Sequence, residues 1–323
     1  MQKDKLKVAR LSILAGVVLT MMKLVVGLAM NSISVISEAV HSSLDLLAAL
    51  IAYAAVWFSG YPADEKHHYG HGKFENIAAI IEALLIVGAG ILIIFQALPK
   101  LRGEIEIRSL GLGAVVMGLS AAINFMVSTA LFRTAKKTGS PALTADAWHL
   151  RTDVYTSLGV FAGILAIRLT GLTIIDPIIA LVVTLFIFKA AVDLLRESLG
   201  SILDLRLPEA EEEIIRDELI RYEGEFVEFH SLRTRKAGAE RHVDLHLVVP
   251  CRCPIGFVHD LCERIEESLQ SRLTNVQVLI HPEPCQPGKK ECRNCSLNVK
   301  RQGKSNLASL SCAEELDKYD NEA

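Results

Sequence analysis

The chain has 323 residues, of which 51% are hydrophobic and 22% are charged, and its formal net charge is −3. A mean hydropathy of +0.34 is too high for an ordinary soluble protein of this length. The near-neutral charge and the few aromatic residues give no support for a nucleic-acid-binding surface, so we expect no nucleic acid among the partners. Long apolar runs fill the chain to about residue 195, and the sequence turns mixed and charged beyond Pro208. This change predicts a membrane domain followed by a soluble one.

Six stretches are long and apolar enough to cross a bilayer, since a span needs about 20 mainly apolar residues. They are residues 11–30, 33–58, 77–98, 110–132, 142–168 and 173–195. Lysine and arginine residues precede the first span and occupy the second-to-third and fourth-to-fifth loops, which lie on one side of the membrane. The third-to-fourth loop is an exception, because it also carries lysine and arginine but lies on the opposite side. By the positive-inside rule, both termini are expected to be cytoplasmic. The predicted fold is a polytopic α-helical membrane protein with a six-transmembrane-helix bundle at residues 1–200.

The region after the sixth span has the pattern of a small α+β domain. Residues 208–224 and 256–273 have helical spacing, whereas residues 226–238, 240–250 and 275–284 have the pattern of strands. We therefore expect a cytoplasmic αββαβ domain at residues 205–284. Residues 285–323 form a polar tail that is expected to be flexible. Its cysteines, Cys285, Cys292, Cys295 and Cys312, fit either a thiolate metal site or incidental reduced thiols.

Two of the spans carry the same polar motif, [E/D]xxHxxxD. The motif residues are Glu38, His41 and Asp45 in span two, and Asp146, His149 and Asp153 in span five. Side chains three and four residues apart share one face of a helix. The two spans run in opposite directions, and a rise of about 1.5 Å per residue places His41 level with Asp153 and Asp45 level with His149. Two imidazoles and two carboxylates in one layer suit a tetrahedral Zn²⁺ site, and ionisable groups at this depth mark ion pathways.

Other interpretations of these polar residues are open. The two histidine–aspartate pairs can be isolated hydrogen bonds between helices, although two matched pairs at matching depth favour the metal site. Glu38 and Asp146 either orient the neighbouring histidines, line the route of the metal, or lie near an interface. The sequence identifies no partner for three further ionisable groups in the spans: Lys23, Glu82 and Arg151.

The sequences HSSLD in span two, HLRTD in span five and YPADEKHHYGHGKFE between spans two and three resemble the cation diffusion facilitator family of divalent metal transporters. The resemblance runs from about residue 8 to Pro284. It implies a homodimer that exports divalent metal in exchange for protons by alternating access. It also implies a transport site formed by His41, Asp45, His149 and Asp153. His41 resembles the zinc-preferring members, and an imidazole-rich site disfavours Mg²⁺ and Mn²⁺.

The resemblance implies two further metal sites and a charge pair. The loop site would consist of Asp64, His67 and His71, and the cytoplasmic site of His230, His246, His259, His281 and Glu283. Ser231 departs from the pattern of the family, in which an aspartate at this position often bridges two metals. Whether the cytoplasmic site holds one metal or two therefore stays open. Lys73 and Asp204 resemble a pair that locks the membrane domains of a dimer together.

The sequence therefore predicts a proton-coupled Zn²⁺ exporter in a bacterial or archaeal plasma membrane. The alternatives are a Mn²⁺ or Fe²⁺ exporter of the same architecture and a membrane metal sensor without transport. An intramembrane metalloenzyme is not expected, because no HExxH motif is present and four protein ligands leave no open coordination position. Zinc is expected as the substrate and as a regulatory ligand, not as a catalytic cofactor; protons and the lipid bilayer are the other expected partners.

Overall fold

The computed structural model describes residues 1–29, 33–101, 112–170, 174–251 and 253–285. The chain divides into two compact units, with the boundary between Leu203 and Asp204. The tail predicted at residues 285–323 lies outside the described residues, except for Cys285, which is buried. The possible thiolate site at Cys292, Cys295 and Cys312 is therefore also outside the described residues.

The described part of the first unit is built from long α-helices. They are α1 (Gln2–Ala29), α2 (Ile33–Ser59), α3 (Phe74–Leu101), α4 (Leu112–Thr138), α5 (Pro141–Thr170) and α6 (Ile175–Ile202). Within a bilayer a helix satisfies every backbone polar group internally, which explains why long apolar sequences adopt this form. The helices extend beyond the apolar windows. For example, α1 already begins at Gln2, because polar turns continue the same backbone hydrogen bonds where hydropathy falls.

Five helices in the described residues are long and apolar enough to cross a membrane, namely α1, α2, α3, α4 and α6. Helix α5 carries Asp146, Arg151 and Asp153, and it packs against α2, α3, α4 and α6. Its central polar residues are therefore covered by other helices. The predicted fold class, a helical membrane bundle followed by a small α+β domain, is confirmed.

Small residues allow the helices of the bundle to approach closely. A Cβ atom at Gly16 of α1 would lie 3.1 Å from Leu46 of α2, and one at Gly90 of α3 would lie 2.7 Å from the ring of Phe188 of α6. Between lipid tails and helices there is little hydrophobic driving force, so close van der Waals packing at such residues stabilises the bundle. The α1–α2 contact places α1 directly beside the helix that carries the first polar motif.

The second unit has the predicted order αββαβ. Its elements are α7 (Glu209–Ile220), β1 (Glu228–Ala237), β2 (Glu240–Val249), α8 (Ile255–Arg272) and β3 (Val276–Pro284). The sheet order is β1-β2-β3, with β1 antiparallel and β3 parallel to β2. Alternate residues of β2, Val243, Leu245 and Leu247, share one apolar core with Leu261 and Ile265 of α8. Since side chains alternate along a strand, His246 points to the opposite face of the sheet.

Candidate metal centre

The structure brings the two polar motifs of the membrane unit together. Nε2 of His149 on α5 lies 3.1 Å from Oδ1 of Asp45 on α2. His41, Asp45 and Asp153 each offer a ligand atom, and these three atoms lie within 4.8 Å of one another. A tetrahedral metal with bonds of about 2 Å holds its ligand atoms about 3.3 Å apart, so small side-chain movements would complete such a site. All four side chains that the sequence nominated therefore meet in one place.

Asn124 of α4 is a neighbour of this group that the sequence analysis missed. Its Nδ2 donates a hydrogen bond of 3.4 Å to Oδ2 of Asp153. The bond leaves Oδ1 of the aspartate available for a metal and restrains the rotation of the carboxylate. A buried asparagine within an apolar span was the available signal, because such residues are costly in a membrane and usually have polar partners.

Glu38 contacts a lysine and not the histidine that follows it by one turn. Its Oε2 lies 3.4 Å from Nζ of Lys23 on α1, and the same ammonium donates a 2.7 Å hydrogen bond to Ser42. Lys23 thereby acquires the partners that the sequence could not identify. Of the roles considered for Glu38, direct support of His41 is absent from this arrangement.

Asp146 and Glu82 are carboxylates buried inside the bundle, with 1% and 0% of their surfaces exposed. Within the described part of the chain, neither carboxylate has a hydrogen-bond partner. The same is true of Nδ1 of His149. One interpretation of the motif required Asp146 to orient His149 through a hydrogen bond. The structure does not contain this bond. The two carboxylates are close enough to interact electrostatically with each other.

Arg151 of α5 is held by α4. Its guanidinium donates hydrogen bonds of 3.1 Å to Ser128 and 2.9 Å to Thr129, and its Cζ lies 4.5 Å above the ring of Phe125. A second ring, that of Phe132, lies 5.5 Å away. Cation–π contacts and hydroxyl acceptors stabilise a cation that has left water. Arg151 therefore joins α4 to α5 and takes no part in the metal group.

The loop between α2 and α3 forms a second cluster of potential ligands. Asp64, His67 and His71 bring ligand atoms within 4.8 Å of one another. Asp64 Oδ1 accepts hydrogen bonds from the backbone N–H groups of His67 and Lys66, which hold the pKa of the carboxyl below its ordinary value. Gly70 follows with φ +76°, a left-handed conformation that allows the chain to turn so that His71 faces Asp64.

Lys73 and Asp204 each have a partner within their own unit. Nζ of Lys73 donates a 3.2 Å hydrogen bond to the carbonyl oxygen of Ile202, at the end of α6, where a cation stabilises the helix terminus. Asp204 accepts a 3.1 Å bond from Arg235. The interlocking pair between Lys73 and Asp204 stays a prediction.

A row of histidines crosses the sheet of the second unit. His230 is paired with His246, and His246 with His281, in the register of neighbouring strands. Glu283 lies beside them, with its carboxylate 2.8 Å from Nδ1 of His246 and 3.3 Å from Nε2 of His230. Partial burial raises the pKa of Glu283, but the hydrogen bond and charges of these histidines outweigh it and hold the pKa below its ordinary value.

Two details of this second cluster differ from the expected set. His259 is exposed on α8, which packs on the opposite, apolar face of the sheet, so the structure does not bring it to the row. Ser231 has φ +54° at an irregularity in the β1–β2 register, and its hydroxyl lies 3.0 Å from Nδ1 of His230. It offers a hydroxyl where a bridging carboxylate would be needed for two metals.

Comparison with known proteins adds an independent result. The family model described as the cation efflux transmembrane domain matches residues 9–203, and that of the cation efflux protein cytoplasmic domain matches residues 207–285. An uncharacterized transporter from Synechocystis sp. is 35% identical over 259 residues, which cover 80% of this chain and 84% of that protein. The cation-efflux pump FieF of Serratia proteamaculans is 31% identical over 268 residues, covering 83% of this chain and 89% of the pump. A solved structure of the transporter CzrB is 38% identical, covers 25% of this chain and 99% of that one, and has a TM-score of 0.24.

Proposed function

The chain belongs to the cation diffusion facilitator family of cation-efflux transporters, which are secondary transporters and not enzymes, and we propose that it exports Zn²⁺ in exchange for protons by alternating access. The observation that carries the proposal is the meeting of His41, Asp45, His149 and Asp153 within the membrane unit. Ionisable groups inside a bundle are costly and normally mark the route of an ion. A sensor that only reports the metal concentration would need no site inside the membrane unit.

The donor set favours zinc. Two imidazoles and two carboxylates match the ligands and the coordination number that Zn²⁺ prefers, whereas Mg²⁺ and Mn²⁺ favour sites made of oxygen. Cd²⁺, Fe²⁺ and Co²⁺ accept similar ligands and are the expected secondary substrates. A Mn²⁺ or Fe²⁺ exporter of the same architecture is the main alternative, and the metal panel below separates the two.

Proton exchange follows from the same donor set. Imidazole binds metal in its neutral form and carboxylate in its ionised form, so protons and metal compete for the same atoms. A site that faces alternately inward and outward would therefore release metal where protons are more abundant. We place both termini in the cytoplasm of a bacterial or archaeal cell, with the exporter in the plasma membrane as a homodimer joined through its second unit.

The test is metal flux in proteoliposomes with an imposed pH gradient. The wild-type chain should transport Zn²⁺, and the double variant D45A/D153A should lose transport, because it removes both carboxylates of the site. The variant D260A provides a matched aspartate control, since Asp260 is exposed on α8. Flux that persists in D45A/D153A would contradict the assigned site, and a wild-type chain that binds metal without flux would support a sensor.

Selectivity is tested in the same vesicles with Zn²⁺, Cd²⁺, Mn²⁺ and Fe²⁺. We expect zinc to drive proton movement in the wild type. This proton movement should be absent from H41A, which lacks one imidazole. Transport of Mn²⁺ at the rate of Zn²⁺ would contradict the proposed selectivity.

A further inference from the structure

Lys23 lies inside the bundle and contacts the stretch of α2 that supplies two residues of the proposed transport site. Only 8% of its surface is exposed, although it occupies the apolar helix α1. An ammonium in a membrane span is costly, and lysines near helix ends usually extend to the interface. Lys23 instead donates to Ser42 at 2.7 Å and lies 3.4 Å from Glu38, both on α2. Its charge is therefore directed to the helix that supplies His41 and Asp45.

The partners of Lys23 bracket a residue of the transport site. Glu38 and Ser42 are four residues apart, so they share one face of α2 and reach the same ammonium. His41 lies between them in sequence. The ammonium is also close enough to Asp153 on α5 to act on it electrostatically. A unit positive charge is thus held on the same stretch of α2 that supplies two of the candidate metal ligands.

This placement has an energetic consequence. The ammonium attracts the site carboxylates when the site is empty and repels a divalent cation when the site is filled, and both effects are large in a bundle with a low dielectric constant. Lys23 should therefore weaken metal binding. Glu38 limits this effect, because its carboxylate holds the ammonium aside and offsets its charge.

We propose that Lys23 is a tethered counter-cation of the transport site, held aside by Glu38, and that it keeps metal affinity low enough for rapid release. This inference rests on the proposed function. It assigns Lys23 and Glu38 as positioning residues that set affinity and turnover without contacting the metal. Transport requires a site that both binds and releases its ion, and a neighbouring fixed charge achieves this without a change of ligands.

The test is isothermal titration calorimetry of the purified full-length protein with Zn²⁺. All variants carry D64A and H246A, so that the loop and cytoplasmic clusters do not contribute to binding. In this parent, K23M should bind Zn²⁺ more tightly by about tenfold or more, as expected for removal of a unit charge near a divalent ion at an effective dielectric constant of about 20. E38Q should bind more weakly, because the ammonium is freed toward the carboxylates. The double variant K23M/E38Q should bind more weakly than K23M, because it also removes the negative charge of Glu38, but more tightly than E38Q.

Two control variants separate this role from a structural one. K23R keeps the charge and should keep the affinity of the parent. The double variant K5M/E75M removes another buried lysine of α1 together with its partner Glu75 and should leave affinity unchanged. In transport assays, K23M should lower both KM and kcat, because release slows as affinity rises. A structural defect would not raise affinity.

The outcomes distinguish the two proposals. If K23M binds zinc with the same or lower affinity than the parent, or if E38Q binds more tightly, the counter-cation is excluded. If the parent does not bind zinc, or if D45A/D153A in the parent does not abolish binding, the transport site itself is wrong. Loss of parent binding in D45A/D153A together with tighter binding in K23M would support both.

Discussion

The metal preference of the proposed transport site would depend on four side chains. His41 and Asp45 come from α2, and His149 and Asp153 come from α5, so each helix supplies one imidazole and one carboxylate. Asn124 donates a neutral hydrogen bond to Asp153 and makes no contact of this kind with the two imidazoles. The balance of nitrogen and oxygen ligands is therefore a property of four residues and can be changed by one substitution.

The variant H41D should broaden metal selectivity toward Mn²⁺. It replaces an imidazole by a carboxylate, and a site with three carboxylates and one imidazole suits harder cations better. We expect the ratio of Mn²⁺ flux to Zn²⁺ flux in proteoliposomes to rise by about tenfold, a change of about 1.4 kcal/mol in relative transition-state energy. An unchanged ratio would show that His41 does not contribute to selectivity.

The loop cluster should lose metal in mildly acidic solution. Because backbone hydrogen bonds hold the pKa of Asp64 below its ordinary value, its carboxylate stays ionised while the pH falls. Imidazole ligands bind a metal only in their neutral form. In a D45A/D153A/H246A background, bound zinc should decrease between about pH 7 and pH 5, where histidines generally take up protons. Dialysis against buffered zinc measures this.

The control for this titration is H68A, because His68 is exposed and lies outside the cluster. It should retain the pH profile, whereas D64N should bind weakly at every pH. Zinc that stays bound down to about pH 4 would contradict histidine competition.

At the scale of helices, α5 differs from its neighbours in what it buries. Its ionisable residues point in different directions: His149 toward the site, Arg151 toward Ser128 and Thr129 of α4, and Asp146 into the interior near Glu82. A helix with polar residues on several sides is stable in a membrane only when other helices cover them. The contacts of α5 with α2, α3, α4 and α6 supply that cover.

Arg151 should stabilise the contact between α4 and α5. The variant R151M removes two hydrogen bonds and the cation–π contact with Phe125, and we expect a loss of about 1–3 kcal/mol, seen as a lower midpoint of thermal unfolding. R151K keeps the charge but cannot reach both hydroxyl groups from a planar fork, so it should recover only part of the stability. If R151M kept the full stability of the wild type, the stabilising role of Arg151 between α4 and α5 would be contradicted.

At the scale of the whole membrane unit, one buried network connects helices that are distant in sequence. Glu75 of α3 accepts hydrogen bonds from Lys5 of α1 at 2.7 Å, from Ser59 at the end of α2 at 2.7 Å, and from Ser140, next to the start of α5. Only 1% of Glu75 is exposed. A buried charge with this many partners specifies how four helix ends meet, and it would be costly to leave uncompensated.

Breaking this network from one side should be more harmful than removing the ion pair altogether. The variant E75A leaves Lys5 buried without its carboxylate, and a loss of about 3–5 kcal/mol is expected. The double variant K5M/E75M replaces the pair by apolar side chains and should recover much of that stability. Thermal unfolding in detergent measures both, and a double variant that is less stable than E75A would contradict the argument.

The amino-acid sequence by itself determined the features that depend on local periodicity. Long apolar runs predict the helices, strand alternation predicts αββαβ, and the repeated [E/D]xxHxxxD motif nominates the four side chains that meet in the membrane unit. These features follow from residues that are neighbours along one helix or strand. The ends of the helices were predicted less well, because hydropathy does not detect polar turns that continue the backbone hydrogen bonds of α1 and α6.

Only the tertiary structure decided which side chains become partners across elements. Glu38 pairs with Lys23 instead of supporting His41, Arg151 is held by α4, and His259 lies away from the histidine row of the sheet. These choices depend on how each helix is rotated about its axis and on which face of the sheet α8 covers. Packing of the whole unit sets both, and no short stretch of sequence contains that information.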